Sequence, residues 1–442
     1  EVHLFAEQTE ISEDRFFYRD CMKKLFDKQK FIIRGYKGTG KTYIYKALSD
    51  KIISANIQKW AGRGETEIKE SIFVNILPVI SGNEKTIFDY IQYSNIEEPD
   101  FYFDCLWQIY TWNTLLLRNE FKIIKEKSKL AQYVLPTDNP ASTLKLYNEL
   151  INNGLDTLID IENDFKIIND HLEKNNIQLF ILYDRLDTCI NPLVWNKAVS
   201  PLFNYWRKTF SVFSNIMPKI FVRTDLYKLV LGTNTIQLED SIISIEWSIG
   251  EVFAYFFKLA FSNKEVSKTC WQIADKLGLK KQYITITQNI FKKDPKNQFK
   301  NCGKQVMGPI VQMFFGKEVM VKGTRLGDPW EYFQKELATA DNTDNNVTLR
   351  TFINLLNENA IDKALARTEE NVQSIISSEI YATQEVRDRA ANDTFEDLAR
   401  DRYSKDLLIV RDLIRSARGK KYQYKALTEN QFAQFIEDIF GE

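Results

Sequence analysis

Residues 35–42 read Gly35-Tyr36-Lys37-Gly38-Thr39-Gly40-Lys41-Thr42, between an apolar run at 30–34 and a helical pattern at 43–52. The segment is a complete match to the pattern G-x-x-x-x-G-K-[ST], in which glycines let successive backbone N–H groups converge on phosphate oxygens. A strand before the loop and a helix after it are the context that the pattern requires, because a helix N-terminus favours an anion. The stretch therefore predicts a site for a nucleoside triphosphate.

The side chains of this loop have separate expected tasks. Lys41 adds a positive charge beside the β- and γ-phosphates, and the Thr42 hydroxyl is an expected ligand of Mg²⁺. The residues expected to contact ATP are Gly35, Lys37, Gly38, Thr39, Gly40, Lys41, Thr42 and Tyr43. The alternative interpretation is a glycine-rich turn that joins a strand to a helix and binds no ligand.

Four further apolar runs predict the remaining strands of a sheet, at 71–77, 179–183, 219–222 and 242–247. Helical patterns lie between these runs, which favours an α/β fold with a parallel sheet. About 100 residues separate the second and third strands, far more than one crossover helix needs, so a helical insertion is predicted at about 95–177. The expected fold is an additional-strand P-loop NTPase core with flanking helices.

The chain becomes mainly helical after the fifth run. Ser248 followed by Glu251 has the pattern of a capping box, and Asp328 before Pro329 is typical of a helix start. We expect three parts, which are a P-loop ATPase core at 1–247, a helical lid at 248–366 and a C-terminal helical or winged-helix-like module at 367–442.

The third predicted strand ends in a carboxylate. Asp184 follows the apolar run 179–183, where a Walker B aspartate holds the hydration shell of Mg²⁺, and Asp187 follows three residues later. At this spacing Asp184 is expected to serve the metal, while Asp187 polarises the attacking water. The alternative interpretation is an ordinary strand-ending Asp followed by an Asx turn.

Two arginines are candidates for contacts with the γ-phosphate. Arg223 ends the fourth predicted strand, beside the Walker B strand, where additional-strand ATPases carry a polar sensor. Arg350 opens a helix in the predicted lid, where a second sensor would reach the phosphates. The expected catalytic residues are Asp187, Lys41, Arg223 and Arg350. The alternative for each arginine is a solvated surface position.

Five stretches together resemble a family of stand-alone bacterial P-loop ATPases, relatives of STAND and AAA+ ATPases. They are Phe5-Ala6-Glu7 through the loop at 35–42, Tyr183-Asp184-Arg185-Leu186-Asp187, Val222-Arg223-Thr224-Asp225-Leu226-Tyr227, Ile245-Glu246-Trp247-Ser248, and Trp330-Glu331-Tyr332-Phe333 through Ala340-Asp341-Asn342-Thr343 to Leu349-Arg350-Thr351-Phe352. The resemblance covers most of the chain, although only the phosphate loop and the Walker B segment are specific alone. It implies an ATPase core, a lid, a C-terminal module and a place in bacterial antiphage defence assemblies.

Two departures from that family point to slow turnover. An AAA+ motor usually has Glu directly after the Walker B Asp, whereas this chain has Arg185. The span 224–240, where a ring ATPase would keep its arginine finger, contains no arginine. The sequence therefore favours a Mg²⁺-dependent ATPase that acts as a nucleotide-driven conformational switch, with self-association or a protein effector as partner.

The C-terminal region leaves a second hypothesis open. Residues 400–425 contain nine Lys or Arg and three Asp, interleaved with Tyr403, Tyr422 and Tyr424. Such a segment can bind nucleic acid, which would make the protein an ATPase of the initiator or loader type. The bland alternative is a solvated helix face with Arg411 and Arg415 pointing to water. A third hypothesis is a nucleotide-binding scaffold with little turnover.

Composition excludes several other classes. The 442 residues include 59 basic and 60 acidic residues, so the whole chain has no electrostatic preference for nucleic acid or membrane. Five scattered cysteines without a CxxC pair fit neither a zinc site nor a disulfide framework. The sequence has two histidines and no apolar run long enough to span a membrane. A cytoplasmic location and no membrane partner are expected.

Overall fold

A computed structural model of the chain describes residues 16–62, 68–76, 87–92, 96–135, 140–152, 154, 156–209, 211–230, 238–291, 303–338, 346–356, 374–399, 407–416 and 429–440. These residues fall into two compact units. Unit 1 takes its described residues from 1–311 and 334–349, and unit 2 takes them from 312–333 and 350–442. The predicted three-part division is not tested by these units and stays a prediction.

Unit 1 is built on a five-stranded parallel sheet. Its strands are β1 (Ile32–Arg34), β2 (Glu70–Asn75), β3 (Ile177–Tyr183), β4 (Ile216–Val222) and β5 (Ile242–Ser244). Their order across the sheet is β2-β3-β4-β1-β5. β3 and β4 are almost wholly buried, as expected for apolar strands covered by helices on both faces. The five predicted strands and the α/β class are therefore confirmed.

The strand register gathers three chain segments at one end of the sheet. Arg34 pairs with Val222, and Tyr183 pairs with Ile220, so β1, β3 and β4 end at nearly the same level. The residues that follow these strands are 35–40, 184–187 and 223–225. We call this end of the sheet the carboxyl edge. In open parallel sheets, ligands bind outside the carboxyl ends of the strands.

Helices cover both faces of the sheet. They are α1 (Lys41–Ser49), α2 (Lys51–Trp60), α3 (Pro99–Leu116), α4 (Lys122–Lys127), α5 (Pro140–Asn152), α6 (Asp156–Lys174), α7 (Leu186–Cys189), α8 (Trp195–Thr209) and α9 (Thr224–Tyr227). One hydrophobic cluster joins the sheet to α3, α6 and α8, and the other joins it to α1 and α2. The described residues of the predicted insertion are mainly helical, and their helical pattern at 140–175 is divided at Gly154, which has a φ of 90°.

The rest of unit 1 is mainly helical and includes α10 (Ile249–Ser262), α11 (Lys264–Lys276), α12 (Lys280–Phe291) and α13 (Lys304–Phe315), whose last turn belongs to unit 2. The predicted capping box is present at the start of α10, where Ser248 and Glu251 bond to each other's backbone N–H. Trp247 forms an antiparallel bridge with Val347, which ties the segment 346–348 to the end of the sheet.

Unit 2 contains a hairpin and several helices: β6 (Val319–Val321), β7 (Thr324–Gly327), α14 (Pro329–Glu336), α15 (Leu349–Leu355), α16 (Ser378–Tyr381), α17 (Gln384–Ala399), α18 (Leu407–Ser416) and α19 (Glu429–Phe440), of which α14 and α15 cross the boundary between the units. Its core is an aromatic cluster in which Phe333 stacks on Tyr381 and contacts Phe315 and Phe352. Asp328 caps α14 through bonds from Trp330 and Glu331, as predicted. Among the described residues, the C-terminal part of the chain is helical.

Most of the basic segment 400–425 lies outside the described residues, and its described part is α18. Arg411 lies 3.6 Å from a carboxylate oxygen of Glu396 and also pairs with Asp412. Arg415 donates a hydrogen bond to Asn392. Arg411 therefore pairs with carboxylates of unit 2, and Arg415 is hydrogen-bonded to α17. In the part of the chain that the structure describes, no helix is long and apolar enough to cross a membrane.

Candidate functional site

The loop that follows β1 has a backbone that only glycine adopts easily. Gly38 and Gly40 have φ angles of 84° and 93°, in the left-handed region that disfavours a side chain. Gly40 is the N-cap residue of α1, so no side chain caps the first turn of that helix. A Cβ atom at Gly35 would lie 2.5 Å from Thr39 Oγ1 and 2.7 Å from Ile245 Cγ1. Gly38 and Gly40 therefore allow the left-handed backbone of the loop, and Gly35 leaves room for the side chains of Thr39 and Ile245.

Lys41 lies across the loop. Its Nζ donates hydrogen bonds to the carbonyl oxygens of Gly35 at 2.8 Å and Tyr36 at 2.9 Å. Burial lowers the pKa of Lys41 to about 8, while the nearby carboxylates of Asp187 and Asp184 act in the opposite direction. The ammonium group is thus held at the carboxyl edge, beside an uncapped helix start.

Two carboxylates from the end of β3 share this edge. Asp184 is 6% exposed, and burial raises its pKa to about 6, although a hydrogen bond from the Arg185 backbone N–H favours the charged form. Arg185 has a φ of 61°, a rare conformation for a residue with a side chain, and it is the N-cap residue of α7. This turn leaves Asp187 in the first turn of α7, with a side chain 23% exposed.

Arg223 comes directly after β4 and is held by carboxylates. Its Nη2 and Nε pair with the two carboxylate oxygens of Asp225 at 2.6 and 3.1 Å. Its Nη1 lies 3.7 Å from Asp187 Oδ2. The structure thus brings Lys41, Asp184, Asp187 and Arg223 together, as the sequence predicted for four candidate site residues.

The other predicted contacts of the loop have varied surroundings. Thr39 is almost fully buried, and its hydroxyl donates to the Tyr36 carbonyl at 2.8 Å. The Tyr43 ring stacks on Phe16, with 5.3 Å between ring centroids. Lys37 and Thr42 are half-buried. Within the described ranges, no group of three or more His, Cys, Asp and Glu side chains could hold a metal ion alone.

Sequence reasoning missed the residues that support the loop from behind. The indole Nε1 of Trp247 donates to the Thr39 carbonyl at 2.9 Å, in a buried position. Glu246 accepts hydrogen bonds from Thr224 Oγ1, at 3.0 Å, and from Asn346. The signal available in the sequence was an acidic and an aromatic residue, Glu246 and Trp247, at the end of the fifth apolar run, two and three residues after β5.

Arg350 belongs to unit 2, where its guanidinium pairs with Asp397. The proposed role of Arg350 as a second γ-phosphate sensor therefore stays a prediction. The other four candidates, Lys41, Asp184, Asp187 and Arg223, belong to unit 1.

Comparisons of the chain with protein-family models, curated proteins and solved structures find no match. The resemblance to STAND and AAA+ ATPases stays a prediction.

Proposed function

We propose that this protein binds Mg²⁺ and ATP at the carboxyl edge of the sheet and hydrolyses ATP slowly, as a P-loop ATPase of the additional-strand class. The observation that carries the proposal is the convergence of an uncapped glycine loop, Lys41, Asp184, Asp187 and Arg223. The strand order supports it as well, because β4 lies between β1, which leads into the loop, and β3, which is followed by Asp184.

The residues of the edge fit the two ligands. Backbone N–H groups at the start of α1 and the Lys41 ammonium are donors for phosphate oxygens. Thr42 and Asp184 would hold Mg²⁺, which needs only one or two protein ligands because it keeps waters and binds substrate phosphates. Bound Mg²⁺ supplies charge neutralisation on the β- and γ-phosphates.

The remaining residues have roles in the reaction. Asp187 orients the attacking water and accepts its proton as the water attacks the γ-phosphorus, because its carboxylate is partly exposed and near Lys41. Arg223 stabilises the charge of the transferred phosphoryl group after it exchanges a carboxylate partner for a phosphate oxygen. Arg223 Nη1 lies 3.7 Å from Asp187 Oδ2, so the two residues proposed for these roles are direct neighbours.

A hydrolysis assay tests the proposal with a matched pair of variants. Asp187→Asn is expected to lower ATP turnover by on the order of 100-fold while ATP binding is retained, because the Asn amide cannot accept the proton. Asp225→Asn also removes a carboxylate partner of Arg223, yet it is expected to keep turnover within about fivefold. Equal losses in the two variants would show that Asp187 acts only through Arg223.

The second candidate function, a nucleotide-binding scaffold with little turnover, is favoured by Arg185. Its side chain occupies the position after the Walker B Asp, where an AAA+ motor has Glu. The same assay separates the candidates, since a scaffold binds ATP but releases no phosphate above the rate of Asp187→Asn.

We further propose that ATP and ADP give different conformations, as a nucleotide-driven switch in a defence assembly requires. A ligand shifts a conformational equilibrium only through contacts that differ between the states, and Arg223 contacts a γ-phosphate only with ATP. Small-angle scattering with a non-hydrolysable ATP analogue and with ADP is expected to give two distinct profiles. Identical profiles would leave a static binder as the better account.

A further inference from the structure

We propose that Trp247 is a positioning residue of the phosphate loop, because its indole N–H holds the Thr39–Gly40 peptide with the Gly40 N–H turned toward the phosphate. The inference rests on the proposed function, since it concerns how the loop is prepared for a nucleotide. Trp247 contacts the loop from the end of β5, 208 residues along the chain from Thr39.

The Thr39 carbonyl oxygen is buried and accepts the Trp247 hydrogen bond. Thr39 is 1% exposed and Trp247 is 5% exposed, so water does not satisfy this oxygen well. A buried backbone carbonyl without a donor is costly, and the indole N–H supplies the donor at 2.9 Å. The hydrogen bond therefore fixes the direction of the carbonyl.

The planarity of the Thr39–Gly40 peptide links the direction of its carbonyl to the direction of its N–H. In a trans peptide the C=O and the N–H of the same unit point in opposite directions. When Trp247 holds the Thr39 carbonyl on the protein side of the loop, the Gly40 N–H is aimed at the other side. Gly40, with its φ of 93°, then leads into the first turn of α1, whose N–H groups form the rest of the anion site.

The Trp247 indole is held in place by its neighbours. The Arg19 guanidinium lies 3.9 Å from the centroid of the Trp247 ring, and Phe17 stacks on the same indole. Arg19 is itself held by the carbonyls of Ile245 and Glu246 and by the Glu251 carboxylate at 3.3 Å. The indole is thus packed in one orientation before a ligand arrives, which is the preorganisation that a binding site needs.

A purely structural role for Trp247 makes a different prediction from a positioning role. Loss of packing lowers stability whether or not a nucleotide is present, whereas loss of the donor weakens the contact with phosphate. Trp195 provides the matched control, because it is fully buried and its Nε1 has no hydrogen-bond partner in the described part of the chain.

The experiment measures the Kd of Mg·ATP and of Mg·ADP by calorimetry for the full chain and its variants. Trp247→Phe is expected to weaken both nucleotides by the same factor, about tenfold, because the loop holds the β-phosphate that they share. Trp195→Phe is expected to bind both as the wild type does, even if its melting temperature falls. Lys41→Ala serves as the reference for loss of the site.

A near-isosteric variant removes the donor without changing the shape of the ring. Replacing Trp247 with 3-benzothienylalanine exchanges the N–H for a sulfur atom, so it is expected to give the same tenfold loss, with a melting temperature that falls only by the cost of the one carbonyl left without its donor. This variant decides the question if Trp247→Phe does not fold.

Each result bears on the inference in a distinct way. Wild-type affinity in both Trp247 variants, together with weak binding by Lys41→Ala, would overturn the inference and leave the proposed function intact. A loss confined to ATP would also overturn it, since the effect would then lie at the γ-phosphate. If the wild-type chain binds neither nucleotide, the proposed function and this inference both fail.

Discussion

One lysine side chain lies near each end of strand β1, and the surroundings of the two lysines differ. At the carboxyl end, Lys41 donates to the carbonyls of Gly35 and Tyr36. At the amino end, Lys219 from β4 donates to the carbonyls of Asp27, at 3.0 Å, and Lys30, at 2.6 Å. In both places an ammonium group closes a short backbone turn.

The surroundings determine which end can bind a ligand. Lys219 is 0% exposed, and its bonds tie the turn at 27–30 to the sheet. Lys41 lies instead beside Asp184, Asp187 and Arg223, at the start of a helix without a side-chain cap. A lysine bonded to carbonyls is therefore compatible with a purely structural role. The neighbouring charges and the glycine backbone distinguish the candidate site.

The largest expected effect is the loss of ATP binding when the lysine at the carboxyl end is removed. Lys41→Ala is expected to weaken ATP binding by about two to three orders of magnitude, because a charge-assisted partner of the phosphates is lost. Calorimetry measures this change, and a circular dichroism spectrum like that of the wild type establishes that the fold is retained.

Lys219→Met is the matched control for the other end of β1. It leaves two carbonyls without their donor, so a lower melting temperature with unchanged ATP affinity is expected. A loss of ATP affinity in Lys219→Met as large as that in Lys41→Ala would contradict the contrast between the two ends.

The next effect concerns the cost of keeping charge at the carboxyl edge. Burial raises the pKa of Asp184 from 3.8 to about 6. Between these two pH values the folded chain keeps a proton on Asp184 that the unfolded chain releases. Stability from this group is therefore lost as the pH rises through about 6. Asp184→Asn is expected to stabilise the nucleotide-free protein by about 3 kcal/mol at pH 8 and by about half as much at pH 5.

Urea denaturation at the two pH values measures this difference. The same variant is expected to lose the dependence of ATP affinity on Mg²⁺, because the carboxylate next to the metal site is gone. A gain in stability that is the same at pH 5 and pH 8 would contradict the raised pKa of Asp184.

The smallest expected effect tests the geometry of the loop. Gly35→Ala places a methyl group against Thr39 and the buried Ile245, so the free energy of unfolding is expected to fall by about 2 kcal/mol. Gly303→Ala is the matched control, because no atom of the residues that the structure describes lies within 4 Å of its added Cβ, and a change within about 0.5 kcal/mol is expected. Thermal denaturation of both variants provides the comparison, and equal shifts would argue against a tightly built loop.

Local sequence patterns predicted much of the sheet and the site. The five strands follow from short apolar runs, and the positions of Lys41, Asp184 and Arg223 follow from the ends of those runs. The strand predictions are confirmed, and candidate residues at the strand ends lie at one edge because a parallel sheet aligns the carboxyl ends of its strands, whatever lies between them in sequence.

The contacts that support the loop could not be predicted in the same way. The bond from Trp247 to Thr39 joins residues 208 positions apart, and Glu246 reaches Asn346 over 100 positions. Such pairs depend on how β5 and the segment 346–348 pack, which no local periodicity encodes. The pairing of Arg223 with both Asp187 and Asp225 likewise depends on the side-chain arrangement at the edge.

Hydrogen–deuterium exchange with and without Mg·ATP tests most directly the claim that the carboxyl edge binds the nucleotide. The account predicts slower exchange of amides at 38–43, where phosphate oxygens accept the N–H groups, and at 184–188. It predicts no change at 27–30, the turn held by Lys219. Unchanged exchange at 38–43 in saturating Mg·ATP, or protection only at 27–30, would contradict the central claim.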